Sequence, residues 1–409
     1  MSIALVYHIN LESTCLPLDR LRDYIGHIGE LVDQISVPVN LTAAAQDWLF
    51  MHEVRPDILE SIKSNDLINI LDSTFSHALP SMFQNYRQMM ADIGKMAHKD
   101  IFGQNSDIFF FPEFDVTCWS PDLLGGYRST ITNHEPGTEY FVDMRKVDIP
   151  VECLFFADAE DGSFPMLNFK RQIISGELST YEHMHLFFQE KMHEKTLVNH
   201  LRFIDLGQDT IQTFVWDFEV PYLNMLYSKD GSHTFPRSDL WKRYMDRLSK
   251  HPDLFVYLDW KTISPYFKDQ DPRYFKGRDL SKWVNKNSEP LIREVSSLLP
   301  YDDYSTLLLL NLMGSDCFTI PGREALEQPV KRYESTNDRV VNIDGCTLTI
   351  SHGNFVEVGK VQIAPDRSRL DRFYDKIKVF KEGQKLGQSD DFYLKNLHNV
   401  LERATRYLR

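Results

Sequence analysis

The chain has 409 residues and carries 45 Lys and Arg against 59 Asp and Glu, which gives a formal charge of −14. Hydrophobic residues make up 42% and aromatic residues 12%, enough to bury a sizeable core, so global disorder is excluded. Nucleic acid and anionic membranes bind clustered Lys and Arg, and the sequence has no such basic patch. It therefore predicts neither nucleic acid nor a membrane as a partner.

Seven short apolar runs predict β-strands in the first 260 residues, and longer amphipathic stretches separate them. Several runs are almost continuously apolar, which is typical of strands covered on both faces. Strands that alternate with helices indicate a parallel sheet, and right-handed crossovers favour its closure into a barrel. The candidate strands are Ile3–His8, Val37–Leu41, Ile68–Leu71, Ile108–Phe111, Glu152–Ala157, Ile211–Trp216 and Leu254–Leu258.

The pattern changes after about residue 260. Ser288–Met313 predicts one or two helices, and Val340–Ile363 alternates in the manner of a small antiparallel β excursion. Ser368–Lys381 and Asp391–Leu408 predict helices, with Ser389 as a candidate N-cap of the second. We therefore expect an α/β chain with a barrel over residues 1–262 and a mostly helical region over residues 263–409, which packs on the barrel mouth.

The five cysteines are scattered, with no Cys-x-x-Cys spacing, and predict buried thiols in a reducing compartment. The N-terminus has no basic segment before its apolar run, so we expect no signal peptide. The longest apolar run, around Leu307–Met313, is far shorter than the roughly 20 residues of a membrane span. These features predict a cytoplasmic protein. The sequence does not indicate an oligomeric state.

Candidate reactive side chains follow the predicted strands, because reacting groups in a parallel α/β barrel gather at the carboxyl ends of the strands. The first strand ends at His8 and Asn10, the fourth leads into Glu113, and the sixth ends with Asp217 and Glu219. Two acidic strand ends suit glycoside chemistry, in which one carboxylate attacks the sugar and the other transfers a proton. Tryptophan faces stack on sugar rings, and the candidates are Trp119, Trp216 and Trp260.

Each of these assignments has a structural alternative. An acid after a strand is often solvated or caps a turn, and either acid of the sixth strand could form a salt bridge. Buried histidines such as His8 and His77 are often hydrogen-bonded core residues, and the tryptophans could lie in the core. The histidines between residues 183 and 200 lack a metal-ligand spacing, because His183 and His185 would point apart on a helix. No metal and no cofactor is therefore predicted.

Five segments, in the same order, resemble motifs of glycoside hydrolase family 57, the α-amylase-like enzymes. One resembles the family's opening strand with its His, one the His-containing segment after a later strand, and one the strand that ends in the nucleophilic Glu. The fourth resembles the Asp-x-Glu motif, and the last the late Gln-Thr-Ser-Asp-His-Phe-Tyr element. They are Val6-Tyr-His-Ile-Asn10, Leu67–Leu79 with its His77, Ile101-Phe-Gly103 followed by Phe109-Phe-Phe-Pro-Glu113, Phe214-Val-Trp-Asp-Phe-Glu219, and Leu386-Gly-Gln-Ser-Asp-Asp-Phe-Tyr393.

This resemblance implies an incomplete, seven-stranded (β/α) barrel followed by a helical C-terminal region. It implies a retaining enzyme of the amylase or 4-α-glucanotransferase type, with Glu113 as the nucleophile and Asp217 as the acid/base. A carbohydrate would be the partner, with His8 and His77 in the innermost subsite and Asp390 on the late motif. We therefore expect substrate contacts from His8, Asn10, His77, Trp119, Trp216, Glu219, Trp260 and Asp390.

The sequence also departs from the family pattern. Ile9-Asn10 replaces the Gln-Pro that follows the first His, and Val220-Pro221-Tyr222 replaces a Gly after the Asp-x-Glu motif. These differences leave open a carbohydrate-binding protein on a catalytically degenerate barrel. A metal-dependent glycosidase or deacetylase relative is a further alternative, although no Asp stands at the expected spacing after His8.

Overall fold

A computed structural model describes residues 2–11, 18–80, 82–112, 127, 129–131 and 211–217, and, with short gaps, residues 241–263, 283–318 and 326–409. For residues 129–131, 211–217 and 326–370 it describes the backbone alone. The strands are β1 (Ser2–Ile9), β2 (Val39–Ala43), β3 (Ile68–Ser73), β4 (Ile108–Phe110), β5 (Ser129–Ile131), β6 (Ile211–Asp217), β7 (Leu326–Tyr333), β8 (Asp338–Ile343), β9 (Cys346–Ser351) and β10 (Phe355–Ile363). The helices are α1 (Leu18–Val32), α2 (Ala45–Val54), α3 (Pro56–Ser64), α4 (Arg87–Phe102), α5 (Trp260–Ile263), α6 (Glu289–Ser296), α7 (Asp303–Leu312), α8 (Arg367–Glu382) and α9 (Phe392–Ala404).

The first six strands form one parallel sheet in the order β5-β4-β3-β2-β1-β6. Five of the predicted strands are thereby confirmed, and β5 is a strand that the sequence reading missed. The predicted strand Glu152–Ala157 lies outside the described residues. Strands β5 and β6 are the edges of the described sheet, so the described part is an open parallel sheet, consistent with the expected incomplete barrel.

A contact between side chains of two non-adjacent strands shows that the sheet is curved. Strands β1 and β4 are separated by β2 and β3, so three strand spacings would hold them about 14 Å apart in a flat sheet. The rings of His8 on β1 and Phe110 on β4 nevertheless stack with their centroids 5.5 Å apart. The sheet therefore curls strongly, and side chains of its concave face meet inside the barrel.

Side chains of β1 point alternately to the interior of the barrel and to the helices that surround it. Leu5, Tyr7 and Ile9 belong to the main hydrophobic core together with residues of α1, α2, α3 and α4. The ring of Tyr7 packs edge-on against Trp241 at 5.4 Å between ring centroids. Successive side chains of a strand point to opposite faces, so Val6 and His8 face the barrel interior.

The predicted strand Leu254–Leu258 is wrong. Residues Pro252–Leu254 form a 3-10 turn, and the side-chain amides of Asn40 and Asn69 hold the backbone that follows. The Leu258 N–H donates to Oδ1 of Asn40 at 2.7 Å, and its carbonyl accepts from Nδ2 of Asn69 at 3.1 Å. Since side chains satisfy these backbone groups, the segment needs no strand ladder at Leu258.

The C-terminal region contains four helices and four strands among the described residues. Strands β7 and β10 pair antiparallel, as do β8 and β9, so the predicted β excursion is confirmed and begins earlier, at Leu326. Asp391, and not Ser389, caps α9, because its Oδ1 accepts from the Leu394 N–H at 2.9 Å. Helix α9 packs on α2, where Arg403 donates to Nδ1 of His52 at 2.6 Å.

None of the helices within the described ranges is long and apolar enough to cross a membrane.

Candidate active site at the carboxyl ends of the strands

Two histidines and a phenylalanine form the centre of the candidate site, and we name His8, His77 and Phe110 the aromatic floor. His8 lies near the carboxyl end of β1, and His77 lies in the loop after β3. Their ring centroids are 4.6 Å apart, and the planes are tilted by 37°. Phe110 covers the His8 ring from β4. His8 and His77 are 4% and 3% exposed, so this floor is almost closed to solvent.

The loop that carries His77 is held by backbone hydrogen bonds to two helices. The Ala45 N–H at the start of α2 donates to the Thr74 carbonyl at 2.9 Å. The Phe75 N–H donates to the Met90 carbonyl of α4, also at 2.9 Å. The helix approaches so closely because Gly94 has no side chain: a Cβ there would lie 2.3 Å from the Ser73 carbonyl oxygen. The small residue thus permits the loop geometry that positions His77.

Residues from the end of α7 contact the same loop. Ala78 forms an antiparallel bridge with Gly314, and the Ser315 N–H donates to the His77 carbonyl at 2.6 Å. The Ser315 hydroxyl lies 2.8 Å from Nδ1 of His77. Sequence reasoning missed Ser315, because 238 residues separate it from His77 and no local motif links them.

Asp217 ends β6 beside the first strand of the site. In the parallel register its Cα pairs with that of His8, and on the other side of β1 His8 pairs with Thr42. Register partners in a sheet occupy the same face, so position 217 lies on the interior face with His8. Trp216 pairs instead with Tyr7, which puts position 216 on the helix-facing side. The contact predicted from Trp216 stays a prediction.

The fold can be compared with solved structures. A family 57 branching enzyme from Thermococcus kodakaraensis aligns with 78% of this chain and 85% of its own, with a TM-score of 0.50 and 11% sequence identity. A branching enzyme of the same type from Pyrococcus horikoshii aligns with 99% of this chain and 94% of its own, with a TM-score of 0.48 and 11% identity. A 4-α-glucanotransferase from Thermococcus litoralis gives a TM-score of 0.46 at 12% identity. The alignment covers 72% of this chain but only 46% of that enzyme.

The chain has a fold like that of glycoside hydrolase family 57. At this low identity the likeness concerns the fold alone. No protein-family model and no curated protein matches the sequence.

Within this family 57-like fold, Glu113, Trp119 and Glu219 lie outside the described residues. Strand β4 ends at Phe110, three positions before Glu113. The predicted contacts from these three residues stay predictions.

The other predicted contacts are scattered. Asn10 is buried, directly after β1. Trp260 is also buried, but it begins the short helix α5 and does not end a strand. Asp390 is exposed, immediately before the cap of α9. The structure therefore brings His8 and His77 together, with position 217 in register beside His8, and the roles of Trp260 and Asp390 stay predictions.

One buried acid at a strand end has a structural role. Asp72 accepts hydrogen bonds from Tyr127 at 2.9 Å and from the Asn105 amide at 2.8 Å. Burial, and then the nearby Asp72 carboxylate, raises the pKa of Tyr127 well above its usual range, so Tyr127 stays a neutral donor. Asp72 pairs in register with Phe109, next to the residue that faces the interior. It therefore anchors the segments around β4 and β5 from the outer side.

In the part of the chain that the structure describes, no group of three or more His, Cys, Asp or Glu side chains is arranged to hold a metal ion.

Proposed function

We propose that this chain is a carbohydrate-active enzyme that hydrolyses or transfers α-linked sugars with retention of configuration. Glu113 is the nucleophile and Asp217 the acid/base in this proposal. The α-glucans are the first substrate class to test, since the solved structure with a TM-score of 0.50 is named as a branching enzyme.

The convergence of two strand ends on His8 carries the proposal. Asp217 is the register partner of His8, so adjacent strands separate their Cα atoms by about 4.8 Å. The Phe110 ring stacks on His8 from the opposite side of the barrel, and Glu113 follows Phe110 by three residues. Three residues span at most about 10 Å, so the length of the chain after Phe110 permits the proposed approach of Glu113 to this cavity. A glycosidase requires two acids that face one substrate.

The chemistry divides between the two acids. Glu113 attacks the anomeric carbon while Asp217 donates its proton to the leaving glycosidic oxygen, and a covalent glycosyl-enzyme forms. Asp217 then takes a proton from water, or from an acceptor hydroxyl, which attacks the anomeric carbon and releases Glu113. This retaining geometry needs carboxyl groups about 5–5.5 Å apart. The buried aromatic floor contributes ring N–H groups to the sugar and limits the access of bulk water.

We also propose that residues 263–409 cover the mouth of the barrel over residues 1–262. The support is the pairing of residues 314–315 with residues 77–78, and the 2.6 Å hydrogen bond from the Ser76 hydroxyl to the Leu310 carbonyl. Both contacts join the end of α7 to the loop at the carboxyl end of β3.

The test begins with a screen of aryl α-glycosides and α-glucans, with product analysis. Against the best substrate we expect Glu113→Gln and Asp217→Asn each to lower kcat by about 10²-fold or more. The exposed acids Glu382 and Asp253 supply matched controls, since Glu382→Gln and Asp253→Asn make the same chemical changes away from the barrel interior. A variant of either proposed catalytic acid with the wild-type rate would remove that acid from the mechanism.

Because Ile9-Asn10 departs from the family motif, the two alternative functions are tested in the same screen. If the chain binds maltooligosaccharides but converts none of the screened substrates, and Glu113→Gln leaves the binding constant unchanged, a carbohydrate-binding protein is the better account. Activity that a chelator abolishes and added metal restores would instead favour the metal-dependent alternative.

A further inference from the structure

Ser315 makes a side-chain contact with the ring of His77. Its hydroxyl lies 2.8 Å from Nδ1 of His77, and both residues are buried. The backbone repeats the attachment, because the Ser315 N–H donates to the His77 carbonyl and Gly314 bridges to Ala78. These backbone contacts hold the His77 ring and the Ser315 hydroxyl close to each other.

Counting donors decides which atom carries the shared proton. A serine hydroxyl has one hydrogen to donate and two lone pairs, and a neutral imidazole has one N–H and one acceptor nitrogen. Nδ1 of His77 is the partner that the structure gives to the Ser315 hydroxyl. If Nδ1–H donated to the hydroxyl, the buried hydroxyl hydrogen would have no acceptor, which is costly. If the hydroxyl donates to Nδ1, the hydroxyl hydrogen has an acceptor, and a neutral ring then carries its proton on Nε2.

We propose that Ser315 is a positioning residue that fixes His77 as the Nε2–H tautomer. Nε2 lies on the edge of the ring away from Ser315, so this tautomer makes His77 a hydrogen-bond donor within the aromatic floor. An N–H donor there recognises an acceptor oxygen of a sugar, a hydroxyl or a glycosidic oxygen. The step from tautomer to sugar rests on the proposed function, whereas the tautomer itself does not.

The tautomer can be measured on the full chain without substrate. Long-range ¹⁵N–¹H correlation spectra of histidine-labelled protein distinguish the two ring nitrogens, and His77→Gln identifies the signals of His77. We expect the wild type to carry its proton on Nε2. Ser315→Ala should populate both tautomers, and Ser315→Thr, which keeps the hydroxyl, should restore the wild-type pattern. A proton on Nδ1 in the wild type, or an unchanged pattern in Ser315→Ala, would overturn the proposal.

Ser76→Ala is the matched control, because Ser76 also joins this loop to the end of α7 but donates to the Leu310 carbonyl and not to a ring. It should leave the His77 tautomer unchanged, and a tautomer change in this variant would assign the effect to loop docking in general. Where the screen finds a substrate, Ser315→Ala should raise KM about five- to tenfold with a smaller change in kcat. A failed screen counts against the proposed function and leaves the spectroscopic result standing.

Discussion

Gly94 offers a test of the packing that positions the loop of His77. A Cβ at this position would lie 2.3 Å from the Ser73 carbonyl oxygen and 3.0 Å from the Phe75 nitrogen. Both neighbours are backbone atoms, so relief requires α4 and the end of β3 to move apart. The same movement would strain the hydrogen bond from the Phe75 N–H to the Met90 carbonyl.

Two effects of opposite sign decide the result of Gly94→Ala. Replacing glycine inside a helix stabilises it by up to about 1 kcal/mol. Forcing a methyl group into a closely packed contact costs about 1–3 kcal/mol, and weakening one backbone hydrogen bond costs roughly 1 kcal/mol more. We therefore expect Gly94→Ala to lower the free energy of unfolding by about 1–3 kcal/mol.

The assay is urea unfolding followed by circular dichroism, with the midpoint and slope compared with those of the wild type. Gly26→Ala is the matched control in helix α1, because its nearest neighbour is the flexible end of Arg55 at 3.1 Å. We expect that variant to be neutral or up to about 1 kcal/mol more stable. Equal midpoints for the two variants would refute the close approach of α4 to β3.

Three further predictions concern buried polar groups. Asn40→Leu should lower the free energy of unfolding by about 3 kcal/mol, because it leaves the buried Leu258 N–H without an acceptor. Urea unfolding measures this change, and a loss of stability below about 1 kcal/mol would contradict the prediction. Burial and then Arg403 lower the pKa of His52, so the native state binds fewer protons than the unfolded state. Stability should therefore fall as pH falls below about 6.5. His52→Gln should weaken this pH dependence of stability between about pH 7.5 and 5.5, and an unchanged dependence would contradict the prediction. Burial raises the pKa of Tyr304 to about 12, so above about pH 10 the unfolded state loses the phenolic proton more readily than the native state. Stability should therefore fall as pH rises from about 10 toward 12, and the Tyr304→Phe variant should lose less stability over that range.

The strands were predictable where burial alone determines the pattern. Runs such as Ile3–His8 and Val37–Leu41 are largely apolar because both faces of their strands are buried, and both form strands. Leu254–Leu258 has the same composition, but whether it joins a ladder depends on the amides of Asn40 and Asn69. Such side-chain hydrogen bonds join residues about 190 positions apart in the sequence, so local hydrophobic periodicity cannot indicate them.

The candidate site was predictable in part for a related reason. The rule that parallel strands gather their carboxyl ends identified His8 and position 217, and the register joins them. It could not identify Ser315, which reaches His77 from outside the first barrel strands, or Gly94, whose importance depends on the path of Ser73. It also could not separate Asp72, a buried structural acid, from a catalytic one, since both kinds of acid lie at the carboxyl ends of strands.

The proposed function requires Glu113 to form a covalent bond to a sugar inside the barrel. The most direct measurement treats the full chain with a slowly turning-over fluorinated α-glycosyl fluoride and maps the labelled peptide by mass spectrometry. We expect one sugar on Glu113, no label in Glu113→Gln, and retained configuration in the products of a normal substrate. A label on another residue, or products of inverted configuration, would contradict it.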